Sequence, residues 1–253
     1  MSSTSSLPRV LLFGHRGAAG EAPENTLPAF QRALELGMDG IELDVLRCQS
    51  GEIVAAHDLT LRRLIPGHGR VKSYTYQELK TLDVGSYFSP RFAGERIPRL
   101  EEVLDQFGSR MWLDIELKGR SIRTDGIEEQ IVRLLQERKL FENVILSSFN
   151  PFIVRRVQAL DSRLKVGFNY LQDLYAPLRK VWFRPLALPF SLHPQPAQVD
   201  QAFLAYAQKI KAKVLPWGVN EPKDIQRLLD LGVDGLISDF PSRLSEIRTR
   251  LKP

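Results

Sequence analysis

Short apolar runs alternate with amphipathic stretches along the whole chain. The runs at 10–15, 40–45, 53–57, 111–118, 144–148, 165–169, 186–193, 214–219 and 235–239 have the length and composition of buried strands. The stretches at 26–36, 100–107, 127–138, 150–160, 200–212 and 222–231 repeat their apolar residues at helical spacing, the first behind an N-cap at Asn25 or Thr26. This rhythm predicts βα units around a parallel sheet. Nine strands are one more than a closed eight-stranded barrel holds. The second and third, however, are joined only by "LRCQSGE", too short for the helix of a parallel crossover, so they should form an antiparallel hairpin turning near residues 49–51. That hairpin sets His57 roughly opposite Glu42. With the return strand counted as a rim extension, eight strands remain, and the expected fold class is α/β, a (β/α)8 barrel. No G-x-G-x-x-G follows a strand to favour an open doubly wound sheet. Residues 59–96, rich in Gly, Pro and aromatics around one short helix at "TYQELKTLD", read as a small excursion on the barrel rim.

Length and composition agree with this picture. A chain of 253 residues, 43% hydrophobic and 26% charged, suits one large domain, residues 9–253, and carries no signature of disorder beyond a polar tail at 1–8. The formal charge of +5 favours anionic partners without choosing among nucleic acid, lipid headgroup and phosphate ester. Cys48 is the only cysteine, which excludes an internal disulfide and a multi-cysteine zinc site and favours a reducing, cytoplasmic setting. The four strongly apolar residues before Gly14 are too few for a signal peptide or a membrane span.

Barrels of this kind gather their chemistry at the C-terminal ends of the strands, and ionisable residues fall there repeatedly. His15 and Arg16 end the first strand, Glu42 and Asp44 lie near the end of the second, His57 and Asp58 end the hairpin return, and Glu116 and Lys118 end the next. Alternation points Glu42 and Asp44 to the same face, about 7 Å apart along the strand. With Glu116 from a neighbouring strand they would repel one another in a dry barrel mouth unless a cation lay between them, and a set of oxygens favours Mg2+ or Ca2+ over zinc. Two imidazoles, a guanidinium, an ammonium and such a cluster make sense together as phosphodiester chemistry. The cations offset charge on the nonbridging oxygens, one imidazole takes a proton from the nucleophile, and the other protonates the leaving alkoxide. Asp114, one step deeper than Glu116, reads as a buried hydrogen-bonding residue, and His193 as structural.

The fragments "HRGAAGEAPENT", "GMDGIELDV", "IVAAHD", "LDIELKG", "SSFN", "VLPWGVN" and "GVDGLISD", in this order, closely resemble the glycerophosphodiester phosphodiesterase family over residues 13–239. The resemblance implies a TIM (β/α)8 barrel with a small rim insertion after the "HD" histidine. It also implies metal ligation by Glu42, Asp44 and Glu116, acid/base roles for His15 and His57, phosphate contacts from Arg16 and Lys118, and a pocket lining by Trp217. It leaves open attack by water or by the substrate's own hydroxyl, and which histidine is the base. "QSG" at the hairpin turn, Gly218 before Val-Asn and Phe240 in "SDFP" depart from the family pattern and bear on leaving-group preference more than on chemistry.

The expected partner is a small glycerophosphodiester, with no nucleic acid. Residues 174–194 crowd Arg179, Lys180 and Arg184 around Trp182 and Phe183, a composition that could dock a lipid surface and would suit a lysophospholipase D. Three cations make a modest foot, so membrane association is not favoured. A noncatalytic anion- or nucleic-acid-binding module is the remaining alternative, and the presence of both histidines and all three carboxylates argues against it.

Overall fold

The computed structural model describes residues 10–119, 121–170 and 188–251. Nine strands and the helices between them follow in order: β1 (Leu11–Gly14), α1 (Leu27–Glu35), β2 (Gly40–Arg47), β3 (Ile53–Ala55), α2 (Tyr76–Leu79), α3 (Leu100–Phe107), β4 (Trp112–Leu117), α4 (Ile127–Arg138), β5 (Val144–Ser148), α5 (Pro151–Leu160), β6 (Lys165–Asn169), β7 (Ser191–His193), α6 (Gln201–Lys209), β8 (Lys213–Val214), α7 (Pro222–Leu231), β9 (Gly235–Ser238) and α8 (Pro241–Leu251). The parallel strands run β8-β7-β6-β5-β4-β2-β1-β9, and β3 pairs only with β2. A bridge between Trp217 and Ile237 and the Asp234 N–H on the Val214 carbonyl join the two ends of that row, β8 to β9. The fold is a TIM (β/α)8 barrel, and the antiparallel β2–β3 hairpin is its extension at the rim.

Several details depart from expectation. The hairpin is not among them: its register, Val45 opposite Ala55 with the Ala56 N–H on the Asp44 carbonyl, carries His57 to the level of Leu43, roughly opposite Glu42 as expected. The eighth strand ends at Val214, where 214–219 was expected: Pro216 cannot donate to a ladder, and Gly218 takes φ +69°. The seventh is only Ser191–His193; the rest of the expected run begins outside the described residues. The helix Pro241–Leu251 is not predicted by periodicity, because its sequence is largely polar, but Leu244 is fully buried against the barrel. Thr26, not Asn25, caps α1, accepting the Ala29 N–H. The tail at 1–8 and the basic-aromatic cluster at 179–184 lie outside the described residues.

Alternation along the strands separates structure from chemistry. Outward residues such as Ile41, Leu43, Leu113 and Ile115 are buried in the main core beneath the helices. Inside the barrel, Phe13, Leu215 and Ile237 pack with Trp112 as a floor. Gly40 is required there: a Cβ would stand 2.4 Å from the Phe13 ring and 2.7 Å from Trp112 Cβ. Above that floor the inward positions turn polar. The rim excursion has a core of its own, in which Leu61, Val71, Tyr76, Leu79 and Val84 pack on Val54 and Ala56.

Candidate active site

The polar inward ends open into a cleft of about 820 Å³ lined by His15, Arg16, Glu42, Asp44, His57, Glu116, Lys118 and Trp217, among others. All eight residues singled out from the sequence therefore meet at one mouth. Glu42, Asp44 and Glu116 are buried and offer oxygens that lie within 4.8 Å of one another. The register pairs Asp44 with Glu116 and Glu42 with Asp114 across β2 and β4, which is why carboxylates from two strands converge.

The electrostatics follow from crowding. Burial above all, then Asp44, Glu116 and Asp114, push the Glu42 carboxyl well above its usual range. Burial likewise carries Glu116 up to about 7, against the pull of Lys118. Asp44 goes the other way: burial opposes its charge, but Lys118 and Arg16 outweigh burial and hold it low. Lys118 Nζ reaches Asp44 Oδ1 at 2.7 Å and Glu116 Oε1 at 2.6 Å, so one ammonium already offsets part of the negative charge. Asn25 adds a bracket, its Oδ1 accepting the Asp44 N–H and its Nδ2 donating to Asp44 Oδ2 at 2.9 Å. Three buried carboxylates, two of them forced toward the neutral form, are a donor set that fits a hard divalent cation.

The β1–α1 loop delivers the cation opposite. Arg16 takes a left-handed conformation, φ +48°, which costs a non-glycine residue roughly 1–2 kcal/mol and turns its N–H onto Glu42 Oε2 at 2.9 Å. Gly17, φ +86°, folds the loop back so closely that a Cβ on Gly14 would lie 1.7 Å from the Gly17 carbonyl oxygen. The Arg16 guanidinium then lies between Glu24, at 3.2 Å, and Asp44, at 3.4 Å.

Each imidazole is held from behind by a carboxylate. His15 Nδ1 is 2.6 Å from Asp239 Oδ1, and Asn220 Nδ2 donates to the other Asp239 oxygen. His57 Nδ1 is 2.9 Å from Asp58 Oδ1. An ionised carboxylate only accepts, so in both rings Nδ1 carries the proton and Nε2 is left for the cleft. Burial chiefly, with Lys118 and Arg16 adding to it, lowers His57 and favours its neutral form although Asp44 pulls the other way. Trp217 donates its indole N–H to the Tyr170 carbonyl, tilts against His15 with centroids 6.0 Å apart, and meets Phe149 edge-on.

Asp114 and His193 form a separate layer below. Asp114 Oδ1 accepts from Ser147, its Oδ2 lies 3.2 Å from His193 Nδ1, and His193 Nε2 meets the Ser191 hydroxyl at 2.8 Å. Sequence reasoning assigned no part in the site to Asp239, Asn220, Asn25, Glu24 or Arg63. Asp239 directly follows β9 and is one more strand-end carboxylate of the kind the pattern marks; the others are found only through contacts between distant loops.

The family described as glycerophosphoryl diester phosphodiesterase matches residues 15–243. A glycerophosphodiester phosphodiesterase of Caldanaerobacter subterraneus is 40% identical over 238 residues, covering 93% of this chain and 96% of that protein. The crystal structure of a glycerophosphodiester phosphodiesterase from Agrobacterium tumefaciens is similar with TM-score 0.79 and 25% identity, over 94% of this chain and all of that one. An Oleispira antarctica phosphodiesterase, solved in complex with the product sn-glycerol-3-phosphate, gives TM-score 0.78 at 28% identity over 98% of each chain. With a match across residues 15–243 and a relative of that identity and coverage, this chain belongs to the glycerophosphoryl diester phosphodiesterase family.

Proposed function

We propose that the chain hydrolyses water-soluble glycerophosphodiesters to glycerol phosphate and an alcohol, with a divalent cation, Mg2+ or Ca2+, held by Glu42, Asp44 and Glu116. The observation that carries this reading is the convergence of three buried carboxylates, within 4.8 Å of one another, with two carboxylate-held imidazoles at one cleft. When bound, the cation would supply Lewis-acid stabilisation of charge on the phosphoryl oxygens. The chain's own residues do the rest. Arg16 and Lys118 contact the nonbridging oxygens and orient the diester. One imidazole, neutral, takes the nucleophile's proton at Nε2, and the other, entering as the imidazolium with both nitrogens protonated, gives its Nε2 proton to the leaving alkoxide, so the pair exchanges one proton per turnover. Asp239 and Asp58 keep Nδ1 protonated in both rings, which leaves Nε2 as the atom that takes or gives the proton, and Trp217 walls the cleft beside His15. The product named for the Oleispira relative is the one this reaction releases.

Purified protein assayed against glycerophosphocholine, glycerophosphoethanolamine and lysophospholipid vesicles, with chelator and with Mg2+ or Ca2+ restored, tests the reading. Turnover of the soluble diesters that stops on chelation and returns with the ion is expected. Turnover confined to the vesicles would favour the lysophospholipase D alternative, and hydrolysis of neither class would overturn the assignment. Among the described residues no helix is long and apolar enough to cross a membrane.

A further inference from the structure

The rim excursion is tied to the carboxylates behind the site by one guanidinium, that of Arg63. Arg63 donates from Nη1 and Nη2 to the two oxygens of Glu24, at 2.7 and 2.6 Å, and from Nε to Asp58 Oδ2 at 2.7 Å. The other Asp58 oxygen holds His57 Nδ1, and Glu24 Oε1 also accepts from Arg16 Nη1 at 3.2 Å. One planar guanidinium thus joins the carboxylate behind His57, at the end of β3, to the carboxylate behind Arg16, in the β1–α1 loop. The excursion grips that loop at two further points: Tyr87 OH accepts the Glu24 N–H at 3.2 Å, and Arg91 Nη2 donates to the Glu21 carbonyl at 3.4 Å. Glu24 is buried between two guanidiniums, an arrangement that fixes its carboxylate plane.

We propose that Arg63 is a positioning residue: through Asp58 and Glu24 it sets the distance and angle between His57 and Arg16, and so couples the rim excursion to phosphodiester hydrolysis. The proposal rests on the reading of His57 as a proton-transfer group and Arg16 as a phosphate contact. Two groups carried by different loops must address one phosphorus, and a misplacement of about 1 Å in such geometry costs on the order of a hundredfold in rate. The fork is what the task needs. A lysine keeps the charge but cannot make two parallel bonds to Glu24 and a third to Asp58.

The test measures kcat and KM on the soluble glycerophosphodiester that the wild-type enzyme turns over fastest, at saturating cation. The variants are Arg63→Ala, Arg63→Lys, Asp58→Ala and the Arg63→Ala/Asp58→Ala pair, with thermal melts of each. Arg63→Ala should lose about 10- to 100-fold in kcat/KM. Arg63→Lys should recover little of this, millimolar guanidinium ion added to Arg63→Ala should recover much of it, and the pair should lose little beyond Asp58→Ala. Wild-type turnover by Arg63→Ala, or losses that multiply in the pair, would overturn the proposal. If only Arg63→Lys folds, its turnover decides: a loss supports the proposal and wild-type rates overturn it. His57→Ala separates the two levels. Normal turnover by that variant would remove the underlying reading and this proposal with it, whereas an inactive His57→Ala beside a fully active Arg63→Ala removes this proposal alone.

Discussion

Replacing Glu42 with Gln should stabilise the protein when cations are chelated and abolish its response to them. The change keeps the shape of the site, since the Gln oxygen can still accept the Arg16 N–H. What disappears is one of three negative charges. Unit charges at 4.8 Å, the widest separation within the cluster, repel by about 3 kcal/mol at an effective dielectric of about 20. The ion-free protein avoids part of that repulsion by holding protons, with Glu42 pushed well above its usual range and Glu116 up to about 7. A carboxyl with a raised folded pKa binds more protons folded than unfolded, so its contribution to stability falls as pH rises from its unfolded value toward its folded one. The cost of ionising the Glu42 carboxyl in the folded protein therefore grows as pH rises, with the Coulomb figure of about 3 kcal/mol setting its size. In a chain of this length that corresponds to about 6–12 °C in Tm. Calorimetric melts of both chains in chelator, from pH 5 to pH 8, should give similar Tm values at the acid end. Glu42→Gln should be the more stable by about 6–12 °C near pH 8, and comparing the two cancels other titrations. Saturating Mg2+ or Ca2+ should then raise the wild-type Tm and leave Glu42→Gln nearly unmoved. Equal Tm values at every pH, or an ion-induced shift of the same size in both proteins, would refute the reasoning.

His15→Ala and His57→Ala should each lower turnover by about a hundredfold or more while melting near the wild type, as steady-state kinetics and thermal melts would record. Asp239→Asn should lower kcat at least about tenfold with little change in KM: the Asn220 amide donates to one Asp239 oxygen, so the new carbonyl should turn to Asn220 and present its NH2 to His15 Nδ1, favouring the wrong tautomer. Burial pushes His193 down to about 3, so the unfolded chain binds the extra proton and stability falls as pH drops below about 6.5, by about 3 kcal/mol at pH 4. His193→Gln should therefore shrink the Tm difference between pH 7 and pH 4, and an unchanged difference would show that another group sets the acid limit.

Much of this architecture could be read from local patterns. Apolar runs mark the strands, the seven residues from Leu46 to Glu52 allow only a hairpin, and alternation alone puts Glu42, Asp44 and Glu116 on the inner face. Strand ends were less legible where a proline or a positive-φ glycine interrupts the ladder, as at Pro216 and Gly218. The C-terminal helix shows no clear period because, among its described residues, only Leu244 and the partly buried Ile247 are apolar side chains packed on the core of an otherwise polar stretch. The supports of the site were legible least. Asp239 is 224 residues from His15 and Arg63 is 39 from Glu24, so their pairing depends on how the barrel closes and how the rim excursion folds back, which no local spacing encodes.

The central claim is that these residues cleave a glycerophosphodiester with the help of a divalent cation. Its most direct test is a 31P NMR time course of glycerophosphocholine with the purified protein, run in chelator, after restoring Mg2+ or Ca2+, and with His15→Ala and His57→Ala under the restored condition. The account predicts conversion of the diester resonance into that of glycerol phosphate only for the wild-type protein with the ion present. Undiminished conversion after exhaustive chelation, or by either histidine variant, would contradict it.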